Sequence, residues 1–472
     1  MSQPNVILIM CDQLRYDCLG YAGHPLVQTP NLDRLAEQGV VFETAYCASP
    51  VCSPARASWL TGTYPHVHNQ LGNYGPHKIG MPGAMMREDM ITLGDLFQGA
   101  GYRCGMAGPW HLGNDHDPQH GFTDFWHTYR YQGEHPDPFF DYLDREGVTN
   151  IYEGKHESIK KYGLSYSPIE DPRQQRTTWT IDQGIEFLDT QDDRPFFLFL
   201  SVKDPHPLIA VSPELVGQYP IDEIELPHSW ADLLEGKPEY QAKEDGRMPL
   251  DIDENGFKQM VAHYYALVTH IDAEVGKLVE HLEGLGFGEN TVLAFISDHG
   301  EMLGDHHAIE KRLFYEASVR VPCLLSWPGG LPKGFRVTTP LGGVDLMPTL
   351  LDLAGVSFDH AVDGRSVASE ISEGNQPEPI PVFSEIGNRV GIRGTSTAPE
   401  DLAARVMVRD GDWKYVWNRT DMDELYDLES DVYEMKNLAE ETEQRGRVEQ
   451  MRGLIREMVE KTGPGVYDWC LE

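Results

Sequence analysis

Five residues in one short stretch have the types and the spacing for covalent chemistry: Cys52, Pro54 and Arg56, then Thr61 and Gly62 after four intervening positions. Ordinary residue frequencies put that coincidence well under about one chain in a thousand. Ser53 and Pro54 are good first residues of a helix and Ala55 to Leu60 carry no breaker, so Cys52 is expected where a helix begins. The unpaired N–H groups and partial positive charge of a helix N-terminus suit a tetrahedral oxyanion. Arg56, one turn further on, can reach the same anion with its fixed fork of donors. An isolated cysteine beside a Ser-Pro turn would read as a buried structural thiol. The complete spacing argues against that reading here.

Further polar groups stand where apolar runs end. Asp12 and Gln13 follow residues 5–10 (NVILIM), Lys203 and His206 close residues 195–202 (PFFLFLSV), and Asp298 and His299 follow residues 291–296 (TVLAFI). Each run reads as a strand buried on both faces, as in a parallel sheet. In open α/β sheets ligands bind at the carboxyl ends of such strands. A lone Asp after a strand is usually a cap or a turn. Several strands delivering polar groups to one edge is instead how α/β enzymes assemble a site.

The elements that must position these residues alternate. Helices are expected over 31–37, 91–98, 177–189, 264–282 and 344–353, further strands over 102–107 and 321–326, and apolar structure resuming at 40–42. In the long helix Tyr264, Leu267, Val268, Ile271, Val275, Leu278, Val279 and Leu282 keep helical spacing and read as core, with His270 a structural histidine. The alternation predicts an α/β fold with a large doubly wound, mostly parallel sheet flanked by helices. Periodicity dissolves over 114–175, the pattern of a functional insertion, and 213–256 is an acidic surface excursion. A boundary near 374–381 divides a catalytic domain, 1–374, from a smaller C-terminal α+β domain, 375–472. In the latter Asp410-Gly411 turns a hairpin of an antiparallel sheet, and a helix over 442–462 ends the chain.

Composition narrows the function classes. At 472 residues the chain can build a large core, and no segment approaches the apolar length of a membrane span. A formal charge of -37 excludes nucleic acid and anionic membranes as natural partners. The N-terminus has no basic segment or cleavage site before the first apolar run, and the 7 cysteines are irregularly spaced. Both features predict a cytoplasmic protein.

The Cys-x-Pro-x-Arg spacing with its Thr-Gly resembles the signature of the formylglycine-dependent sulfatases, within the alkaline-phosphatase-like superfamily. The resemblance extends over GMAGPWHLG at 105–113, SVKDPHP at 201–207, SDHGEMLGDHH at 297–307 and MVRDGDWKYVW at 407–417. It implies a sulfuric ester hydrolase in which a maturation enzyme oxidises Cys52 to an aldehyde. As its hydrate, one hydroxyl attacks the ester and the other expels the inorganic group by collapse to the aldehyde. It also implies a divalent ion held by Asp12, Asp298 and His299, with an oxygen from residue 52. Arg56 then stabilises the diol, His111 lies beside the nucleophile, His206 near the leaving group, Lys311 contacts the transferred anion, and Lys203 is a candidate substrate contact. Asn73 carries over as a further substrate contact.

The match departs from the commonest sulfatase pattern in three places. Cys11 stands where many members have a first Asp, which makes Gln13 a candidate ligand. Pro109 replaces a frequent lysine, and His299 a frequent Asn. Calcium is the expected ion; fewer carboxylates and one imidazole also admit manganese. The Asp-Gln start and Asp-His pair are also similar to phosphonate monoester hydrolases and phosphodiesterases that share the nucleophile, which is the alternative activity. A metal-stabilised binding protein with an unmodified Cys52 is the non-enzymatic rival. The expected partner is a small-molecule or saccharide sulfate ester, and a homo-oligomer is left open. Trp126, His127, Tyr129, Tyr131, Tyr74 and His77 are candidates for the pocket wall, weighed against roles in a local core.

Overall fold

The apolar runs become strands of one eight-stranded sheet in a computed structural model that describes residues 3–74, 85–113, 117–128, 137–149, 169–190, 192–207, 209–243, 252–387 and 404–472. In chain order these strands are β1 (Asn5–Asp12), β2 (Val40–Phe42), β3 (Arg103–Gly108), β4 (Asp124–His127), β5 (Phe196–Pro205), β6 (Thr291–Ser297), β7 (Cys323–Ser326) and β8 (Phe335–Val337). Across the sheet the order is β8-β2-β7-β6-β1-β5-β3-β4. β7 runs antiparallel to both neighbours and the remaining pairs are parallel. β1 sits at the centre and is buried at every residue, which is why its sequence shows no alternation.

Helices cover both faces. One face packs Trp59, Leu60, Leu346 and Leu350 against Leu8, Phe199 and Ile296. The other packs Leu267, Ile271, Leu278 and Ile181 against Ile7, Leu198 and Leu293. The long helix runs Glu254–Gly284, ten residues ahead of the start its periodicity predicts. Asp253 caps it by accepting from the Gly256 N–H at 2.7 Å. A polar, glycine-containing first turn hides this start, although Phe257, Met260 and Val261 are buried. His270 pairs with the Thr178 hydroxyl at 3.2 Å, inside the packing of this helix.

The region 114–175 is less irregular than its composition suggests. Among its described residues are β4 and the helix Pro138–Arg145, and Phe139, Leu143 and Val148 close on Trp179 as a small core with Trp126 against it. Tyr129, Tyr131 and His77 lie outside the described residues. Towards the C-terminus Val382–Ile386, Arg405–Asp410, Trp413–Asn418 and Glu424–Asp427 form an antiparallel four-stranded sheet. The helix Arg445–Thr462 lays Met451, Ile455 and Val459 on it. Among the described residues no helix is long and apolar enough to cross a membrane. All 7 cysteines are buried and unpaired.

One glycine sets the geometry of the sheet edge. Gly108 ends β3 at φ +102°, and a Cβ there would lie 1.8 Å from the Ser201 carbonyl oxygen on β5. Only glycine permits so close an approach of two strand ends at that φ. Gly108→Ala is therefore expected to cost on the order of 3 kcal/mol or more in stability and to lower activity together with it. An unfolding midpoint equal to that of the wild type would show that this approach is dispensable.

Candidate active site

Four neighbouring strands, β6, β1, β5 and β3, point their carboxyl ends to one edge, and the polar residues found in sequence gather there. Asp12 is the last residue of β1, and Asp298 and His299 follow β6. Lys203 lies near the end of β5 with His206 just beyond the strand, and His111 follows β3 by three residues. The helix Cys52–Thr61 starts beside them, with Cys52 as its first residue and Val51 extended before it. The expected helix start and the expected convergence are both present.

Asp12, Cys52, Asp298 and His299 each offer a ligand atom, and these atoms lie within 4.8 Å of one another, all buried. Cys52 Sγ is 3.1 Å from His299 Nε2 and 3.7 Å from Asp12 Oδ1. His299 Nδ1 pairs with the Gly300 carbonyl at 2.9 Å and must be its donor. That bond fixes the tautomer and leaves an Nε2 lone pair facing the cluster. Two carboxylates and an oriented imidazole around one small space fit a divalent cation.

Arg56, fully buried, braces this cluster from behind. Its Nε donates to Asp298 Oδ2 at 2.9 Å and one terminal nitrogen to Asp12 Oδ2 at 3.2 Å. The other terminal nitrogen donates to Ser201 Oγ at 2.6 Å and to the Pro109 carbonyl at 3.1 Å. Ser201 is a partner that sequence reading missed, because a serine in an apolar strand carries no signal of its own.

The nucleophile candidate is framed on its other side by Asn73. Its Oδ1 accepts from the Ser53 N–H at 3.0 Å and its Nδ2 lies 3.8 Å from Cys52 Sγ. The Ser53 hydroxyl donates to the His111 carbonyl at 2.7 Å and accepts from the Tyr74 N–H at 2.9 Å. Lys203 Nζ is 3.3 Å from both His206 Nδ1 and the Pro207 carbonyl. His127 accepts from the Trp110 N–H at 3.3 Å, a structural bond.

Burial and charge set the protonation states. Burial works to raise Asp12, but His206, Arg56 and Lys311 overcome it and hold the carboxyl well below the usual range. Asp298 is raised, by burial and by the charge of Asp12. Burial, then Arg56, pushes His111 down to about 3. Burial, Lys311 and Lys203 drive His206 well below its ordinary value. Burial and Arg176 bring Lys203 down to about 8. Burial opposes the charge on Lys311, yet Cys52 and Asp12 leave it raised. Burial and Asp12 push the Cys52 thiol up to about 12.

Cys11 points into the apolar core with Ile7, Ile9 and Val202, on the face opposite the one Asp12 uses. The Gln13 amide lies between Lys311 Nζ and the carboxylate of Glu301. Glu301, buried and raised to about 7 by that burial, is a site residue the sequence reading did not single out. Its signal is its place two residues after His299.

Comparison with known proteins identifies the family. The profile of the family described as Sulfatase matches residues 4–356, and that of the C-terminal region of N-sulphoglucosamine sulphohydrolase matches 304–461. An arylsulfatase of Clostridium perfringens is 28% identical over 99% of this chain and 96% of its own length. A choline-sulfatase of Rhizobium meliloti is 29% identical over 95% of this chain and 84% of its own. Among solved structures, a phosphonate monoester hydrolase of Agrobacterium radiobacter superposes with a TM-score of 0.81 over 97% of this chain and 96% of that one, at 24% identity, a likeness of fold.

The bracing role of Arg56 is directly testable. Arg56→Lys keeps the charge but cannot reach both carboxylates, Ser201 and Pro109 at once, so it is expected to cost about 3–5 kcal/mol of stability. An unchanged denaturation midpoint would contradict the bracing role.

Proposed function

Because the chain belongs to the sulfatase family, we propose that it hydrolyses sulfate monoesters, with residue 52 as nucleophile after oxidation of its thiol to an aldehyde, beside a divalent cation held by Asp12, Asp298 and His299. One observation carries this reading: Cys52 opens a helix within ligand distance of both carboxylates and the oriented imidazole, with Arg56 behind them. A bound cation would polarise the ester oxygen and favour ionisation of the attacking hydroxyl. Calcium is the proposed ion and manganese the alternative that the imidazole nitrogen admits.

The chain's own residues supply the rest. Asn73 Nδ2, held near Cys52 by the Ser53 N–H bond to its own Oδ1, and the positive end of the helix face the position where negative charge develops at residue 52. Lys311, charged and buried, is placed to attract the transferred anion. His111, held neutral, offers a hydrogen bond without adding charge. Lys203 and His206 stand together on the leaving-group side. Lys203, at about 8, is matched to giving up a proton near neutral pH and His206 to accepting a hydrogen bond. Small-molecule or saccharide sulfate esters are the proposed substrates, in line with relatives named for aryl and choline sulfates. A maturation enzyme is the implied partner of Cys52.

A second reading, phosphonate monoester or phosphodiester hydrolysis, is favoured by Gln13 and His299, which leave two carboxylates and a nitrogen in the cluster. All these esters carry one negative charge, whereas a phosphate monoester carries close to two at neutral pH. The missing lysine at Pro109 and the charge of -37 weaken the pull on a doubly charged ester.

Two outcomes follow. Protein produced with a formylglycine-generating enzyme should show the peptide holding Cys52 about 18 Da lighter by mass spectrometry, as thiol-to-aldehyde conversion requires, and Cys52→Ala should abolish turnover. Full activity of unmodified protein would sink the nucleophile assignment. In side-by-side assays kcat/KM for an aryl sulfate should exceed that for the matching aryl phosphate monoester by about tenfold or more. A phosphonate or phosphodiester faster than the sulfate would install the second reading instead.

A further inference from the structure

Gln13 has an unusual backbone and a fully committed side chain. It lies in the left-handed region at φ 74°, where a non-glycine residue persists only if its surroundings hold it. Its N–H donates to Asp298 Oδ1 at 3.0 Å, and its carbonyl accepts from the Tyr264 hydroxyl at 2.7 Å. The side-chain amide is then caught between two groups of opposite character. Lys311 Nζ can only donate, so it demands the amide oxygen; the Glu301 carboxylate accepts, so it takes the amide nitrogen. Glu301 is itself only 4% exposed. Its second oxygen accepts from the Leu303 N–H at 3.0 Å and from the Glu310 N–H, one residue before Lys311. No other carboxylate contacts this amide among the described residues.

We propose that Glu301 is the positioning residue that fixes the Gln13 amide with its oxygen towards Lys311 and the cation-holding cluster, a role that rests on the metal reading of Asp12, Cys52, Asp298 and His299. A reversed amide would turn two N–H donors on an ammonium group and on any cation beside it. With the oxygen inward, position 13 offers an acceptor without a charge. The cluster keeps two carboxylates and Lys311 keeps its direction. Glu301 touches neither substrate nor nucleophile; it acts through Gln13 and through the backbone beside Lys311.

The backbone N–H groups at 303 and 310 decide what an isosteric change does. In Glu301→Gln the new side chain keeps its oxygen on those two donors and must turn its NH2 towards Gln13. The Gln13 amide then flips and sets its own NH2 against Lys311. Placing a carboxylate at 13 in the same protein, Glu301→Gln with Gln13→Glu, restores a donor–acceptor pair with an oxygen facing Lys311. Gln13→Glu alone sets two carboxylates face to face.

The test is a double-mutant cycle on the full chain, stripped with chelator and titrated at pH 8 with Ca2+ and Mn2+ alone by calorimetry. Each single variant is expected to bind the ion about tenfold or more weakly, and the double variant to return to within about threefold of the wild type. With an aryl sulfate, Glu301→Gln should raise KM through the displaced Lys311, and the double variant should reverse this. If a single variant folds poorly, the melting temperatures of the ion-free proteins read the same cycle, with the double variant more stable than either single. Additive losses, or Glu301→Gln binding like the wild type, would overturn the positioning role while leaving the metal reading intact. A wild type that binds neither ion would overturn the metal reading and this proposal with it.

Discussion

Everything at the site is arranged around a guanidinium with no solvent contact. Arg56 bonds Asp12 at the end of β1 and Asp298 beyond β6, and also Ser201 on β5 and the Pro109 carbonyl beyond β3. Those are the four adjacent central strands, so one side chain from a neighbouring helix ties together every strand end that delivers a polar group. Burying such a charge is costly unless it is fully paired, and pairing it requires the four ends to meet within a few ångströms. The close approach at Gly108 and the parallel register of β1 with β5 and β6 serve that requirement. The carboxylate atoms left over by Arg56 are the ones that face Cys52 and His299.

The part of this legible in sequence is the part written in short, regular patterns. Continuous apolar runs marked the central strands, because a strand buried on both faces has no polar alternation to obscure it. The spacing around Cys52 marked the helix that this residue opens, and the strand-end positions of Asp12, Lys203, Asp298 and His299 marked the site's edge. Two-residue and three-residue strands such as Phe335–Val337 were not legible, since so few positions cannot show a period. Nor was the partner of a side chain. Tyr264 reads as one more apolar position of the long helix, yet its hydroxyl holds the backbone of Gln13 from 251 positions away. Ser201 and Glu301 act through contacts of the same long-range kind. Cys11 adjoins Asp12 in sequence, while the alternation of β1 turns it to the core.

The segment after the helix that Cys52 opens couples the large sheet to the C-terminal sheet. Gly62 ends the helix at φ +68°, and the Tyr64 N–H donates to Asp363 Oδ2 at 2.8 Å. His66 Nδ1 meets Glu385 Oε1 at 2.8 Å, from the first strand of the C-terminal sheet, and its Nε2 meets the Thr462 hydroxyl at 2.8 Å, from the end of the last helix. Burial opposes protonation of His66, but Glu385 more than offsets it and leaves the imidazole raised. From there the chain returns to Cys52 at Asn73. The C-terminal elements thus hold one side of the surroundings of Cys52 in place.

A second seam carries the same argument further. Lys414, on the C-terminal sheet and without solvent contact, bonds Glu316 at 2.9 Å, and the Glu316 N–H donates to Glu434 at 2.7 Å. Glu316 lies five residues after Lys311, in the stretch 304–356 that both family profiles cover. That stretch supplies Lys311 to the site at one end and Glu316 to the buried Lys414 of the C-terminal sheet at the other. A buried lysine released from its carboxylates would be left uncompensated, so the sheet cannot detach at low cost. In energy the C-terminal sheet therefore belongs to the scaffold that positions Lys311 and Cys52.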